Sequence, residues 1–249
     1  MKLFLGVCRY EYWMSIKRVG LILTVIAISG MFLLGIIQGG DNLDYNWETA
    51  ASIVFSQSLF FPVVAGIFAA DRAKRDQKLG VMELLRVTEL RRGTYILGKY
   101  VGVALSMLTL SLGISLVLGL IAFAYGGTIG FILKCLVATV VLQGPSIFFV
   151  TAFSLACPLI MPVRVYQILF TGYWFWGNYL NPEAFPSISH TLLNASGRYA
   201  WQGIFGVATF GGNTVTLVEA LLNITLLFTM AAGALIVMEL FLRRQQAKM

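Results

Sequence analysis

The chain has 249 residues, of which 58% are hydrophobic and only 12% are charged. A soluble domain carries about 25% charged residues, so this composition excludes an ordinary soluble protein and indicates a polytopic membrane protein. The net charge of +7 does not indicate nucleic-acid binding, because the basic residues lie between apolar runs, as the positive-inside rule predicts.

Residues 1–18 predict an amphipathic helix that lies in the membrane interface. An apolar stripe recurs at the spacing of one helix face: Leu3, Val7, Tyr10 and Met14. The polar residues Arg9, Glu11 and Ser15 point away from this stripe. A cytoplasmic extension of the first membrane span is the alternative for this segment.

Six apolar runs predict six transmembrane helices in a single transmembrane domain that covers 1–249. These runs lie near 19–38, 51–70, 96–123, 129–157, 164–180 and 215–241. We therefore expect an all-α membrane protein.

The charges between the runs predict the orientation of the chain. The loop at 39–50 is acidic and has no Lys or Arg, whereas 71–95 is basic and Arg243, Arg244 and Lys248 follow the last run. The positive-inside rule then predicts a multi-pass protein of the cell membrane with both termini and the segment 71–95 in the cytoplasm. An even number of spans agrees with this orientation.

Several residues inside the apolar runs are unusual at membrane depth. Pro62 and the Gly144-Pro145 pair are expected to kink or open their helices. Gln57, Gln143 and Asn223 are expected to face another helix or a water-filled pathway, because an amide in contact with lipid lacks hydrogen-bond partners.

The outer segment, residues 177–214, is too polar to span a membrane and too aromatic for a plain linker. We expect it to fold back into the outer leaflet or to lie on its surface before the sixth span. Its His190 is the only histidine of the chain, so we predict neither a metal site nor a catalytic site here. Asn194-Ala195-Ser196 fits the glycosylation pattern, which is common by chance.

The stretch Gly93–Lys99 fits the first positions of a phosphate-binding loop. Tyr100 stands where that loop needs Ser or Thr, and no apolar strand precedes Gly93. We therefore interpret Lys99 as an anchor at the membrane interface, and we predict that the chain has no ATPase site and no catalytic residues of its own.

Between the second and third runs, charged and apolar motifs follow one another in a characteristic order. They are Asp71-Arg72, Gly80, Glu83-Leu84-Leu85, Arg91-Arg92 and Gly98-Lys99. This order, with the N-terminal amphipathic helix, the six spans and the outer segment, resembles the permease subunits of ABC-2-type exporters. The resemblance covers most of the chain. It departs at Val87-Thr88-Glu89, where many relatives have a proline.

The resemblance implies a half-transporter of the inner or cell membrane that acts as an exporter. Two permease chains, identical or similar, would pair within the lipid bilayer, and separate ABC ATPase subunits would supply the ATP and Mg²⁺ sites. A cytoplasmic coupling helix within 71–95 would dock into a groove on the ATPase. The residues that this implies for coupling are Asp71, Arg75, Gly80, Glu83, Leu84, Leu85 and Arg91.

Two other functions stay open from the sequence. One is a membrane scaffold or assembly protein without transport, and the other is an integral membrane enzyme that acts on lipids. The sequence does not identify the substrate of such a transporter. An apolar interior with a few amides suits amphipathic cargo, but peptides, drugs and polysaccharides stay open.

Overall fold

The computed structural model describes residues 2–24, 26–27, 29–30, 44–79, 91–208 and 215–246. Every regular element within these ranges is helical. The helices are α1 Lys2–Ile16, α2 over the described residues 19–24, 26–27 and 29–30, α3 Trp47–Gln57, α4 Phe61–Lys78, α5 Arg92–Ala124, α6 Ile129–Ala156, α7 Val163–Tyr179, α8 Arg198–Gly203 and α9 Leu217–Gln246, with a 3-10 turn at Cys157–Leu159 after α6.

Three of the described helices are long and apolar enough to cross a membrane: α5, α6 with its 3-10 turn, and α9. A fourth crossing is added if α3 and α4, which meet at a bend of 42°, count as one broken span. The predicted all-α membrane fold is therefore confirmed in outline. The helix α7 falls on the predicted fifth run but has only 17 residues, and 31–38 of the first run lie outside the described residues.

The helix α6 lies at the centre of the bundle. It packs against α3, α4, α5 and α9. Of the 18-residue apolar stretch in each helix, 67% is buried in α6, compared with 39% in α5 and 28% in α9. The helix continues through Pro145, so the opening that we expected at Gly144-Pro145 does not occur.

The break between α3 and α4 lies where we expected Pro62 to bend the chain. Residues 58–60 form turns, and Pro62 occupies the second position of α4, where a missing N–H is tolerated. The indole N–H of Trp174, on α7, donates to the carbonyl of Leu59 at 3.1 Å. The ring of Phe170 fills the space beside Gly66, where an added Cβ would lie 2.3 Å from it. The bend is therefore held by α7.

The helix α1 is separate from α2, because Lys17 and Arg18 between them are not helical. This observation favours a distinct N-terminal helix over an extension of the first span. Glu11 and Ser15 are buried, whereas Leu3 and Tyr10 are 57% and 63% exposed. Glu11 and Ser15 therefore point into the protein, whereas Leu3 and Tyr10 of the apolar stripe point outwards.

Two glycines of α5 allow α1 to approach closely. A Cβ added to Gly102 would lie 2.5 Å from the carbonyl oxygen of Cys8, and one added to Gly98 would lie 3.0 Å from the Cβ of Val7. Small residues four positions apart on one helix face permit such backbone contact.

The described charges concentrate at one end of the bundle. The start of α5 lies beside the end of α9, since an added Cβ on Gly93 would lie 4.0 Å from Glu239. At the opposite end, Tyr45 donates to the carbonyl of Tyr125, and Lys134 donates to the carbonyl of Tyr45. We call the end of the bundle with the start of α5 and the end of α9 the basic end. We call the end with Tyr45 and Tyr125 the aromatic end.

We predict that Gly102→Ala lowers the melting temperature of the detergent-purified protein, because the new methyl group collides with the backbone of α1. The matched control is Gly113→Ala in the same helix, where an added Cβ meets nothing within 4 Å. That change should stabilise the protein, since Ala is favoured over Gly in helices by about 1 kcal/mol. Equal shifts of the melting temperature in both variants would contradict the close approach of α1 and α5.

Candidate functional site

A cluster of charged side chains lies between α1, α4 and α5 near the basic end. The Lys99 amino group is 3.0 Å from Glu11 Oε1 and 2.6 Å from Asp76 Oδ2. The Arg72 guanidinium donates to Ser15 Oγ at 2.8 Å and lies 3.7 Å from Glu11 Oε2. The Tyr95 hydroxyl donates to Asp76. We call these six residues the charge cluster.

The charge cluster is enclosed and electrically balanced. The exposed fractions of the Lys99, Arg72 and Glu11 side chains are 1%, 2% and 4%, and that of Asp76 is 13%. Two acids face two bases. Breaking a buried ion pair by removing one partner typically costs about 3–5 kcal/mol, because the other charge is left without compensation. The cluster therefore ties three helices together.

Each helix contributes two residues of the charge cluster that are four positions apart. These pairs are Glu11 and Ser15 on α1, Arg72 and Asp76 on α4, and Tyr95 and Lys99 on α5. Residues at this spacing share one helix face, so three polar faces meet at a single point. The spacing was visible in the sequence, but nothing in the sequence indicated that the three faces converge.

The position of Lys99 corrects our interpretation of this residue. We expected an anchor that reaches the lipid headgroups, but its amino group is directed at Glu11 and Asp76 inside the protein. The stretch Gly93–Lys99 lies within α5, so its backbone forms helix rather than a loop around phosphate.

Three of the residues implied for coupling lie within the described part of the chain. Asp71 and Arg75 are on α4, which extends beyond its apolar part to Lys78, and Arg91 precedes the first residue of α5. All three are exposed, and Asp71 lies 3.9 Å from Arg18. The remaining four, Gly80, Glu83, Leu84 and Leu85, lie outside the described residues.

The amides Gln57 and Gln143 belong to a buried polar belt between α3, α5 and α6. Gln143 Nε2 donates to the carbonyl of Val54 at 3.1 Å, and Ser111 donates to Gln143 Oε1. Ser115 donates to Gln57 Oε1 at 3.4 Å and accepts from Thr139 at 2.6 Å. The belt thus joins helices, which is one of the two roles that we expected for these amides.

Asn223 lies elsewhere, in contact with the outer segment. Its amide N–H groups donate to the carbonyls of Leu192 and Asn194, each at 2.8 Å. The amide of Asn194 donates to the carbonyls of Asn178 and Ser189. We call Asn178, Asn194 and Asn223 the asparagine cluster. All three are buried, so they fasten the outer segment to α7 and α9.

Residues 177–208 of the outer segment are consequently packed against α7 and α9 through buried hydrogen bonds. The side chain of Asn194 is 0% exposed, and its oxygen accepts from the N–H and the hydroxyl of Ser196, so the glycosylation pattern does not present a free amide. His190 is exposed at the surface. Residues 209–214, with the Gly211-Gly212 pair, lie outside the described residues.

No family model matches the chain, and no curated protein matches it. Within the described ranges, no group of three His, Cys, Asp or Glu residues is placed to hold a metal ion. The charge cluster is therefore the site with the most distinctive chemistry in the described part of the protein.

We predict that Lys99→Met strongly destabilises the protein, because Glu11 and Asp76 then face each other without their shared cation. The expected loss is about 3–5 kcal/mol of unfolding free energy, measured by denaturation in detergent. The double variant Lys99→Met with Asp76→Asn should recover part of this loss, since Glu11 keeps Arg72 and the charges balance again. Arg92→Met, which removes a cation outside the cluster, is the control. A double variant less stable than Lys99→Met would contradict a shared ion pair.

Proposed function

We propose that this chain is the permease subunit of an ATP-driven ABC exporter and works with a separate ATPase. The observation that carries the proposal is the Asp76–Lys99 ion pair. Residues 79–91 connect α4 to α5. This segment begins three positions after Asp76 and ends eight positions before Lys99. The segment with Gly80 and Glu83-Leu84-Leu85 therefore begins and ends on two helices that the charge cluster joins.

The ion pairs of the charge cluster would transmit a displacement of residues 79–91 to the helix bundle. Glu11 adds α1 to the joined pair, and α1 packs lengthwise on α5. A displacement of residues 79–91 by an ATPase would thus move α1, α4 and α5 together rather than bend one helix. In this mechanism, ATP binding and hydrolysis on the partner shift the bundle between two states by differential contacts, and the permease itself performs no chemical step.

Other parts of the proposal rest on the sequence resemblance. They are a second permease copy or a similar permease, a location in the cell membrane, and export as the direction of transport. The substrate is left unassigned. A scaffold without transport stays the alternative, and a lipid enzyme is less favoured because the described residues bring no catalytic constellation together.

The finer topology is part of the same proposal. We infer six crossings, in which the bent pair α3–α4 is one crossing and α7 and the helix that begins at α2 add two to the three long helices. The basic end would face the cytoplasm by the positive-inside rule. Both termini would lie there, because α1 joins the charge cluster and the end of α9 lies beside the start of α5.

The docking role of the Glu83-Leu84-Leu85 motif predicts the behaviour of its two leucines. Leu84→Asp with Leu85→Asp should abolish co-purification of the chain with its ATPase partner, because a charged surface cannot enter an apolar groove. Membrane insertion should be unchanged: an alkaline wash should leave the variant in the membrane, and detergent should release it. Leu79→Asp, the same change at an exposed leucine outside the motif, is the control. If the double variant co-purifies and transports normally, the proposed coupling is wrong.

The orientation predicts labelling from opposite sides of the membrane. In a variant whose three cysteines are replaced by alanine, Leu79→Cys should react with an impermeant maleimide only after cells are opened. Ala184→Cys, on the exposed part of the outer segment, should react in intact cells. The reverse pattern would overturn the orientation without affecting the fold.

A further inference from the structure

The outward face of α1 carries two exposed cations, Arg9 and Lys17. A groove of about 460 Å³ runs along this face, and its walls are Gly6, Arg9, Tyr10, Trp13, Met14 and Lys17. Among the described residues neither Arg9 nor Lys17 forms an ion pair, whereas the neighbouring Arg18 pairs with Asp71. An added Cβ on Gly6 would meet nothing within 4 Å, so the groove is open at this position.

The contacts of α1 place this face near the boundary between apolar and charged surface. Arg72 contacts both Glu11 and Ser15, and Arg18 contacts Phe68 and Asp71. The last turns of α1 and the following Arg18 therefore stay beside residues 68–72 of α4. In that stretch α4 changes from an apolar to a charged sequence.

The side chains between the two cations suit the same boundary. Tyr10 and Trp13 are 63% and 50% exposed, and the Lys17 amino group lies 5.8 Å from the centre of the Trp13 ring. Tyr and Trp are enriched at the level of lipid headgroups, and Lys or Arg beside them attract anionic lipids. Val19 and Leu23, which follow on α2, are 69% and 60% exposed, so exposed apolar side chains come directly after Lys17 along the chain.

We propose that the outward face of α1 binds the phosphate of an anionic phospholipid. Arg9 and Lys17 would hold the phosphate, and Tyr10 and Trp13 would lie against the glycerol and the upper acyl chain. A phospholipid fits better than an acidic protein, because exposed aromatic side chains lie between the two cations and exposed apolar side chains follow them, and a lipid tail can cover both. The site does not depend on the transport function.

The test is a lipid titration of the detergent-purified full-length chain, followed by native mass spectrometry. Phosphatidylglycerol should bind more tightly than phosphatidylcholine, and added salt should weaken this preference. The variant Arg9→Gln with Lys17→Gln should lose about 30-fold in affinity for phosphatidylglycerol, since each cation near an anionic membrane contributes about 1 kcal/mol. Affinity for phosphatidylcholine and the melting temperature should stay unchanged.

Two further variants keep the test specific. Arg244→Gln, which removes an exposed cation on α9 outside the groove, should leave phosphatidylglycerol binding unchanged. Arg9→Lys, which keeps the charge, should retain most of the affinity. An equal loss in Arg244→Gln, or a preference for phosphatidylglycerol that survives the double variant, would overturn the proposal. Competition by inorganic phosphate alone would instead indicate a small-anion site, and competition by soluble polyglutamate an acidic protein partner; either result would also overturn the lipid assignment.

Discussion

Two carboxylates and two cations are removed from water between α1, α4 and α5, and this burial constrains the rest of the basic end. An isolated ion is too costly to bury in an apolar bundle, so each charge of the cluster requires the others. Glu11, Asp76 and Lys99 can meet only if three helices keep their register. The glycines at 98 and 102 bring the backbone of α1 close enough for this contact. The close approach of the helices and the pairing of the charges therefore depend on each other.

The polar belt and the asparagine cluster also bury polar groups between helices, but their partners are uncharged. The polar belt lies around the central helix α6, where Gln143 and Ser58 both donate to the carbonyl of Val54 near the α3–α4 break. The asparagine cluster lies near the aromatic end and satisfies the backbone of an irregular segment. Buried irregular backbone is stable only where protein or water supplies its hydrogen bonds. Amides at Gln143, Asn194 and Asn223 supply them here.

The apolar runs predicted the long helices well, because a crossing helix is defined by properties of one contiguous stretch. The predicted runs 96–123 and 129–157 correspond closely to Arg92–Ala124 and Ile129–Ala156. The break near Pro62 was equally local and was also predicted. The enclosure of Lys99 was not, because whether a lysine meets headgroups or carboxylates depends on helices that lie far apart in the sequence. Spacing within one helix identifies a polar face, but it does not identify the face opposite.

The hydrogen bond from Trp174 to Leu59 has a consequence for the energetics of the bend between α3 and α4. The indole lies at 0% exposure and donates to a carbonyl that the helix break has left free. If α7 moved away, that oxygen would lose its donor inside an apolar bundle, at a cost of about 1–3 kcal/mol unless the bend changed too. The bend angle and the position of α7 are therefore thermodynamically linked. By reciprocity, whatever straightens or sharpens the bend must also change the free energy with which α7 is held in place.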